Sequence, residues 1–135
     1  MTYRGSCLCG AVAFTVEGPM RPVVACHCGQ CRKVTGNHVA ATAALRGDVD
    51  IEGEVTWFRS SAEARRGFCG TCGSALFWDG PGTHLSIMAG ALDGATGLSL
   101  AGHIFCAEAA DWEVIGSGLP CVDGADDTLT TMVRA

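Results

Sequence analysis

Residues 66–73 read Arg-Gly-Phe-Cys-Gly-Thr-Cys-Gly, with Cys69 and Cys72 three positions apart and a glycine after each. This spacing is typical of a zinc knuckle, a tight turn in which two sulfurs converge and the glycines tolerate the backbone bend. Zinc prefers four tetrahedral ligands in structural sites, so two more donors must come from elsewhere in the chain. The knuckle therefore predicts a second pair of cysteines that completes the site.

The second pair is Cys7 and Cys9, near the N-terminus. These cysteines stand two positions apart, and in an extended strand both thiols would project on the same side. Four cysteines leave no position for a substrate, which is the arrangement of a structural zinc site. We predict that Cys7, Cys9, Cys69 and Cys72 bind one zinc ion that joins an N-terminal strand to a central hairpin. The alternative is that they are buried, unligated thiols.

A third group of cysteines lies between these pairs, in Cys26-His27-Cys28-Gly29-Gln30-Cys31. Three protein ligands leave one zinc position to water or substrate, which is what catalytic zinc requires. Zinc in this position favours the thiolate form of an incoming thiol at neutral pH. We therefore predict a catalytic zinc ion on Cys26, Cys28 and Cys31.

Two alternatives stay open for this second site. His27, Cys106 or Cys121 would close it by supplying a fourth ligand, although a side chain between two same-side residues of a strand points away from the metal. An iron–sulfur cluster also uses cysteine thiolates, but the spacing does not follow the usual ferredoxin runs. We expect that His27 is not a direct ligand, and that Cys106 and Cys121 are small buried hydrophobic residues.

Short alternating segments separated by glycine-bearing turns predict a mainly β, antiparallel architecture. In the clearest of them, Val12, Phe14 and Val16 alternate with smaller or polar residues up to Gly18. One short helix is expected over 30–34, ending near Gly36. Further strands are expected over 22–26, 38–44, 55–59, 66–69, 75–78, 84–88 and 103–105.

The composition is that of a compact globule, with 48% hydrophobic and 17% charged residues, and it argues against disorder. A length of 135 residues suits one core. We predict a single zinc-binding domain over 1–135, with an acidic tail over 123–135 that is an edge strand or loosely packed. Nine lysines and arginines stand against fourteen carboxylates, with no dense basic run, so a nucleic-acid surface is not expected.

The N-terminus lacks a charged region followed by an apolar region, and no stretch reaches the roughly 18 apolar residues of a membrane span. We therefore expect a cytoplasmic protein with no membrane partner. The cytosol keeps thiols reduced, so the nine cysteines need a reason other than disulfides. Metal binding is the leading reason.

With both cysteine clusters in view, the sequence resembles the glutathione-dependent formaldehyde-activating enzyme family, also described as the centromere protein V-like or GFA domain. The resemblance implies a small antiparallel β-tent (Mss4-like) zinc fold with short helical turns. It also implies structural zinc on the four-cysteine set and catalytic zinc on the three-cysteine set. The matching pieces run in order through nearly the whole chain: GSCLCGAVAFTV, CHCGQCRKVTG, RRGFCGTCGSALFW, IMAGALD and HIF followed by DW.

The activity that the resemblance implies is the condensation of glutathione with formaldehyde to S-hydroxymethylglutathione. This step of formaldehyde detoxification is classed, in the reverse direction, as a carbon–sulfur lyase reaction. A histidine can shuttle the proton, because imidazole titrates near neutrality; the candidates are His27, His38, His84 and His103. Glutathione has two carboxylates, and its cationic anchors are expected among residues that solvated surface charge explains equally well: Arg32, Lys33, Arg59, Arg65 and Arg66.

Two other functions compete with this one. The first keeps the enzyme class and changes the substrate to another thiol adduct or small aldehyde. The second is a non-catalytic module that binds glutathione or a protein partner, and an open second zinc site counts against it. A short β domain with an exposed strand edge can also pair into a homodimer.

Overall fold

The computed structural model describes residues 2–130, which form two β-sheets and a few short helices. The smaller sheet has three antiparallel strands in the order β1-β2-β5, namely β1 (Thr2–Ser6), β2 (Ala13–Glu17) and β5 (Val49–Glu52). The larger sheet has seven strands in the order β10-β3-β4-β9-β8-β7-β6. The prediction of a mainly β fold is confirmed.

The strands of the larger sheet are β3 (Val23–Cys26), β4 (Val39–Leu45), β6 (Val55–Arg59), β7 (Arg65–Cys69), β8 (Ala75–Asp79), β9 (His84–Met88) and β10 (Leu100–Ile104). Five of its six neighbouring pairs are antiparallel, whereas β10 runs parallel to β3. An entirely antiparallel arrangement was therefore wrong for this one pair. The reason is topological, since β10 returns from β9 through a long loop, and such a crossover can place two strands in parallel.

Side chains from both sheets form the main core. Phe14 of β2 and Phe77 of β8 are 2% and 1% exposed, and their ring centroids lie 5.1 Å apart in an edge-to-face arrangement. Val12 and Val16, which the alternating pattern placed on one face, are fully buried beside Phe14. The period-two pattern of this segment thus correctly identified the side of the strand that faces the core.

Helix α1 (Gly29–Thr35) begins within the central cysteine group and extends the predicted helix by one residue at each end. Cys28 is its N-cap, and the Cys28 sulfur accepts a hydrogen bond from the backbone N–H of Cys31. Gly36 ends the helix in the left-handed conformation, at φ 78°, which glycine adopts without a steric penalty. Gly36 thus ends the helix as the sequence suggested, whereas the cap at Cys28 was not predicted.

Most predicted strands lie within one or two residues of the observed ones, and β6 and β9 match at both ends. Strands β1 and β5 were missed. Gly5 interrupts the alternation of side chains in β1. Strand β5 does alternate partly buried valine and isoleucine with exposed acidic residues, but over only four positions, which is too short to stand out in the sequence. Strand β10 begins three residues before its predicted start, because Leu100 to Gly102 carry little hydrophobic pattern.

The C-terminal part of the described chain packs on β3 and β10. Helix α2 (Asp127–Thr130) buries Leu129, at 7% exposure, against Val24 and Ile104. The predicted tail 123–135 thus contains a packed segment, and its last five residues lie outside the described ones. Among residues 2–130, no helix is long and apolar enough to cross a membrane.

Candidate metal centres

The four predicted structural ligands come together at one place. The sulfurs of Cys7 and Cys9 lie 3.6 Å apart, and those of Cys9 and Cys69 lie 3.7 Å apart. With Cys72, all four sulfurs lie within 4.8 Å of one another. A tetrahedral zinc ion with Zn–S bonds near 2.3 Å requires sulfurs about 3.8 Å apart, so this donor set fits zinc closely.

Two turns position these sulfurs. Cys69 ends β7, and the backbone N–H of Gly73 donates to the Cys69 carbonyl at 2.8 Å, closing the predicted knuckle between β7 and β8. Cys7 and Cys9 do not lie in a strand as the sequence suggested, because β1 ends at Ser6 and the chain turns immediately afterwards. Gly10, at φ 82°, permits that turn. The N-terminal pair therefore converges by a turn and not by strand alternation.

Hydrogen bonds favour the thiolate forms of Cys7 and Cys72, the forms that a metal requires. At Cys9 a backbone hydrogen bond from Ala11 lowers the pKa, but contact with Cys7 and burial outweigh it and raise the pKa to about 11. The backbone N–H of Val12 donates to the Cys7 sulfur at 3.3 Å and lowers the pKa of Cys7. The N–H groups of Thr71 and Cys72 point to the Cys69 sulfur, at 3.4 and 3.5 Å. Hydrogen bonds from the side chain and backbone of Ser74 lower the pKa of Cys72 to about 5. Donors aimed at sulfur are the partners expected around metal-bound thiolates.

The three predicted catalytic ligands form a second cluster. Cys26 ends β3, Cys28 caps α1 and Cys31 lies in the first turn of that helix, so the strand-to-helix turn brings the three sulfurs within 4.8 Å of one another. The sulfurs of Cys28 and Cys31 lie 3.0 Å apart. They would separate by about 0.8 Å to hold a tetrahedral zinc ion. The donor set is that of a three-cysteine zinc site, with one position left over.

Of the three thiols in this cluster, Cys31 most readily takes the negatively charged thiolate form. Hydrogen bonding from Cys26 lowers the pKa of Cys31 to about 5. Cys28 and the Arg66 guanidinium lower it further, whereas burial acts in the opposite direction. The same contact with Cys31, together with burial, raises the pKa of Cys26. Arg66 places its Nη2 atom 3.8 Å from the Cys31 sulfur. A fixed cation thus stands beside the thiolate that the cluster forms most readily.

A cavity of about 390 Å³ opens beside the three sulfurs. This volume falls in the range of roughly 300–1,000 Å³ that is usual for small-molecule sites. Apart from the cysteines, its walls are mainly apolar, and the polar exceptions among the lining residues are Arg21, Gln30, Arg66 and Ser86. The second cluster is therefore accessible to a small ligand in a largely apolar setting.

The family model for the glutathione-dependent formaldehyde-activating enzyme matches residues 2–108, which include all seven clustered cysteines. The chain belongs to this family. A protein of Halomonas elongata described as a "putative glutathione-dependent formaldehyde-activating enzyme" is 37% identical over 90 residues, which cover 57% of this chain and 55% of that relative. The chain thus spans about half the length of the curated relative it matches.

In this member of the formaldehyde-activating family, His27 faces away from the sulfurs, as the sequence suggested. It is 2% exposed and belongs to a buried polar network. Its Nδ1 lies 2.8 Å from a Glu113 oxygen, an ion-pair separation without hydrogen-bond alignment, and its Nε2 lies 3.0 Å from Nδ1 of His103. His38 bonds the same Glu113 oxygen at 3.0 Å. No sequence pattern indicated this role for Glu113.

Cys106 and Cys121 are bonded to each other. The expectation that they are small buried hydrophobic residues was therefore wrong, and neither is buried in the structure. The bond also occupies both sulfurs, so neither completes the second cluster. The pairing could not be read from the sequence because the two residues meet only where Cys121 pairs through a β-bridge with His103 of β10.

Of the five predicted cationic anchors, Arg66 lines the cavity beside the three sulfurs. Arg65 instead pairs with Asp79 and stacks over Trp57, with its guanidinium carbon 3.9 Å from the ring centroid. Arg32 and Arg59 donate to backbone carbonyl groups of Glu108 and Ala62, and Lys33 is exposed. Arg21 also lines the cavity and was missed, because a single arginine before the apolar strand β3 carries no recognisable motif.

Proposed function

We propose that the protein is a zinc-dependent enzyme of the carbon–sulfur lyase type that condenses glutathione with formaldehyde to S-hydroxymethylglutathione. In this proposal Cys26, Cys28 and Cys31 hold a catalytic zinc ion, and the four-cysteine cluster holds a structural one. The observation that carries the proposal is that three thiols come together at the wall of a cavity large enough for a small ligand. Three protein ligands leave one of the four coordination positions of zinc for a substrate.

The reaction forms one bond between the thiol sulfur and the formaldehyde carbon. One electron pair of the carbonyl double bond moves to oxygen, and the proton of the thiol ends on that oxygen to give the hydroxymethyl group. The sulfur must therefore react as thiolate, and the chain has to favour that form and hold it beside the aldehyde. Zinc, when bound, supplies an open position that lowers the pKa of an incoming thiol.

The residues around the cluster suit these tasks. Arg66 provides a buried positive charge within 3.8 Å of the Cys31 sulfur, which favours negative charge at this end of the cavity. The apolar residues of the lining, such as Val39, Met88 and Trp78, exclude water from the hydroxymethyl product. Three anionic ligands weaken zinc as a Lewis acid, so positioning of thiolate and aldehyde contributes more than polarisation of the carbonyl group.

The first test is exchange NMR of glutathione, formaldehyde and their adduct, with protein whose zinc content is known and with the uncatalysed rate as reference. We expect acceleration that disappears in Cys28→Ser while the fold and the first zinc ion remain. Cys121→Ser is the control for a cysteine lost outside both clusters. It breaks the bond to Cys106 and lowers stability, but it should keep the acceleration. If Cys28→Ser retains the wild-type acceleration, the three-cysteine cluster is not where the reaction takes place.

The comparison variant for the first site is Cys72→Ser. We expect it to lower soluble yield and thermal stability, because it opens the four-cysteine cluster. If Cys28→Ser and Cys72→Ser behave alike in stability and activity, the division into catalytic and structural zinc is refuted. Protein that carries two zinc ions but gives no acceleration with glutathione would point to another thiol substrate.

A further inference from the structure

Two arginines, Arg21 and Arg66, are buried in the cavity wall. They are 4% and 8% exposed, whereas the other arginines and lysines of the described chain are at least partly accessible. Both line the cavity that holds the three sulfurs. Burying a charged side chain is strongly unfavourable unless another group compensates the charge. Two such cations in one small cavity therefore need an explanation.

Neither arginine has a carboxylate partner among residues 2–130. The arginine–carboxylate ion pairs in this part of the chain join Asp79 to Arg46 and Arg65. Arg21 donates from Nη1 to the carbonyl groups of Pro22 and Ala41, at 3.0 and 2.8 Å. These acceptors are neutral, so they satisfy hydrogen bonds but leave the charge of Arg21 uncompensated.

Arg66 has the Cys31 thiolate as a charged neighbour, but it has no carboxylate partner and no close hydrogen bond. Its Nη2 atom donates to the side-chain oxygen of Gln30 at 3.4 Å and lies 3.8 Å from the Cys31 sulfur, both long contacts. The Nε atoms of Arg66 and Arg21 are buried, and neither has a hydrogen-bond partner within the described chain. Each guanidinium group thus retains a buried donor, which structures rarely leave unsatisfied without a ligand or water.

The backbone positions of the two arginines are separated in the strand order. Arg66 belongs to β7, and Arg21 bonds to Ala41 of β4, with β8 and β9 between them. Three steps between neighbouring strands correspond to about 14 Å. Arg66 pairs in register with Trp78, and Trp78 with Ser86, and all three line the cavity. Both guanidinium groups therefore reach the same cavity from backbone positions several strands apart.

We propose that Arg21 and Arg66 are two carboxylate-binding positions, so that the cavity selects a peptide-sized thiol with carboxylates at its two ends. This inference rests on the proposed function, because it takes the thiol as the ligand of the three-cysteine cluster. A tripeptide spans about 10 Å, and the flexible arginine side chains cover the remainder of the strand separation. The planar guanidinium fork suits a carboxylate, and the apolar wall strengthens the pairing.

The test needs no variant at first. Binding of glutathione and of its dimethyl ester to the zinc-loaded protein is measured by calorimetry; the two molecules share the thiol and differ in the carboxylates. We expect the diester to bind at least about tenfold more weakly, the lower end of what hydrogen bonds to charged groups contribute. Equal binding of the two ligands would overturn the inference.

Variants then assign the positions. Arg21→Gln and Arg66→Gln should each weaken glutathione binding about tenfold or more, while binding of the diester changes little. Arg65→Gln is the matched control, since Arg65 precedes Arg66 in β7 and pairs with Asp79. If Arg65→Gln weakens glutathione binding as much as Arg66→Gln does, a general charge effect replaces the proposed pairing. Arg66→Lys should restore binding only in part, because lysine lacks the fork.

Failure of this inference is distinguishable from failure of the proposed function. Carboxylate-dependent binding without acceleration of the formaldehyde reaction would support the two positions and refute the activity. Acceleration with equal glutathione and diester binding would support the activity and refute the positions. Absence of binding by both ligands would overturn the inference.

Discussion

Cys9→Ser is the perturbation that most directly tests how the four-cysteine cluster supports the fold. Cys9 is exposed and lies 60 positions before Cys69, with their sulfurs 3.7 Å apart. A cross-link that closes a loop of this length lowers the entropy of the unfolded chain enough to stabilise the fold by about 4 kcal/mol. Domains have total stabilities of roughly 5–15 kcal/mol. Loss of the link therefore removes a large share of the stability.

We expect the Cys9→Ser protein to bind one zinc ion fewer per chain. Loss of the cross-link should lower the free energy of unfolding by about 4 kcal/mol, and the loss of the ligand–metal bonds should lower it further. The measurements are zinc content after dialysis and urea unfolding monitored by circular dichroism. Leu8→Ser is the control, because Leu8 lies in the same turn and is 89% exposed. A Cys9→Ser protein with wild-type zinc content and unfolding midpoint would refute the metal cross-link.

Three further predictions concern the rest of the molecule. Phe77→Ala should lower the free energy of unfolding by about 3–5 kcal/mol, because it leaves a void against Phe14, and calorimetry would measure this. Reduction of the Cys106–Cys121 bond, which spans 15 positions, should lower the free energy of unfolding by about 3 kcal/mol. The measurement is the unfolding midpoint with and without reductant, and Cys121→Ser should give the lower midpoint without reductant. Burial, with the nearby charges of His27 and His38, lowers the pKa of His103. The contribution of neutral His103 to the free energy of unfolding is therefore complete above pH 6.5 and falls as the pH drops below that value. His103→Gln should reduce the pH dependence of the unfolding midpoint in this range, which thermal unfolding at several pH values would measure.

The sequence predicted those parts of the fold that depend on local chemistry. Cys69 and Cys72 specified a knuckle because spacing and glycine alone define that turn, and Gly36 marked the end of α1 for a similar reason. Strand β9 was predictable because Leu85 and Ile87 alternate with polar residues over most of its length. In each case the determining interactions lie within a few residues of one another.

Long-range contacts account for what was missed. The acceptor for His38 is Glu113, 75 positions away, and no spacing rule connects them. Arg21 belongs to the cavity only because β3 and β4 pair beside it, and the sulfurs of Cys106 and Cys121 meet only once Cys121 has bridged to β10. The strand assumed for Cys7 and Cys9 failed because alternation and a turn can both bring two sulfurs together.

Strand β7 connects the two cysteine clusters. It carries Arg66, which contacts Cys31 and lines the cavity, and three residues later Cys69, whose sulfur belongs to the four-cysteine cluster. The register shift between Gly67 and Phe68 lies between these two residues. A bulge of this kind re-aims side chains along a strand. Arg66 and the knuckle cysteine Cys69 are therefore held by one short strand, so we expect a distortion of the knuckle to displace the cation beside the three thiols as well.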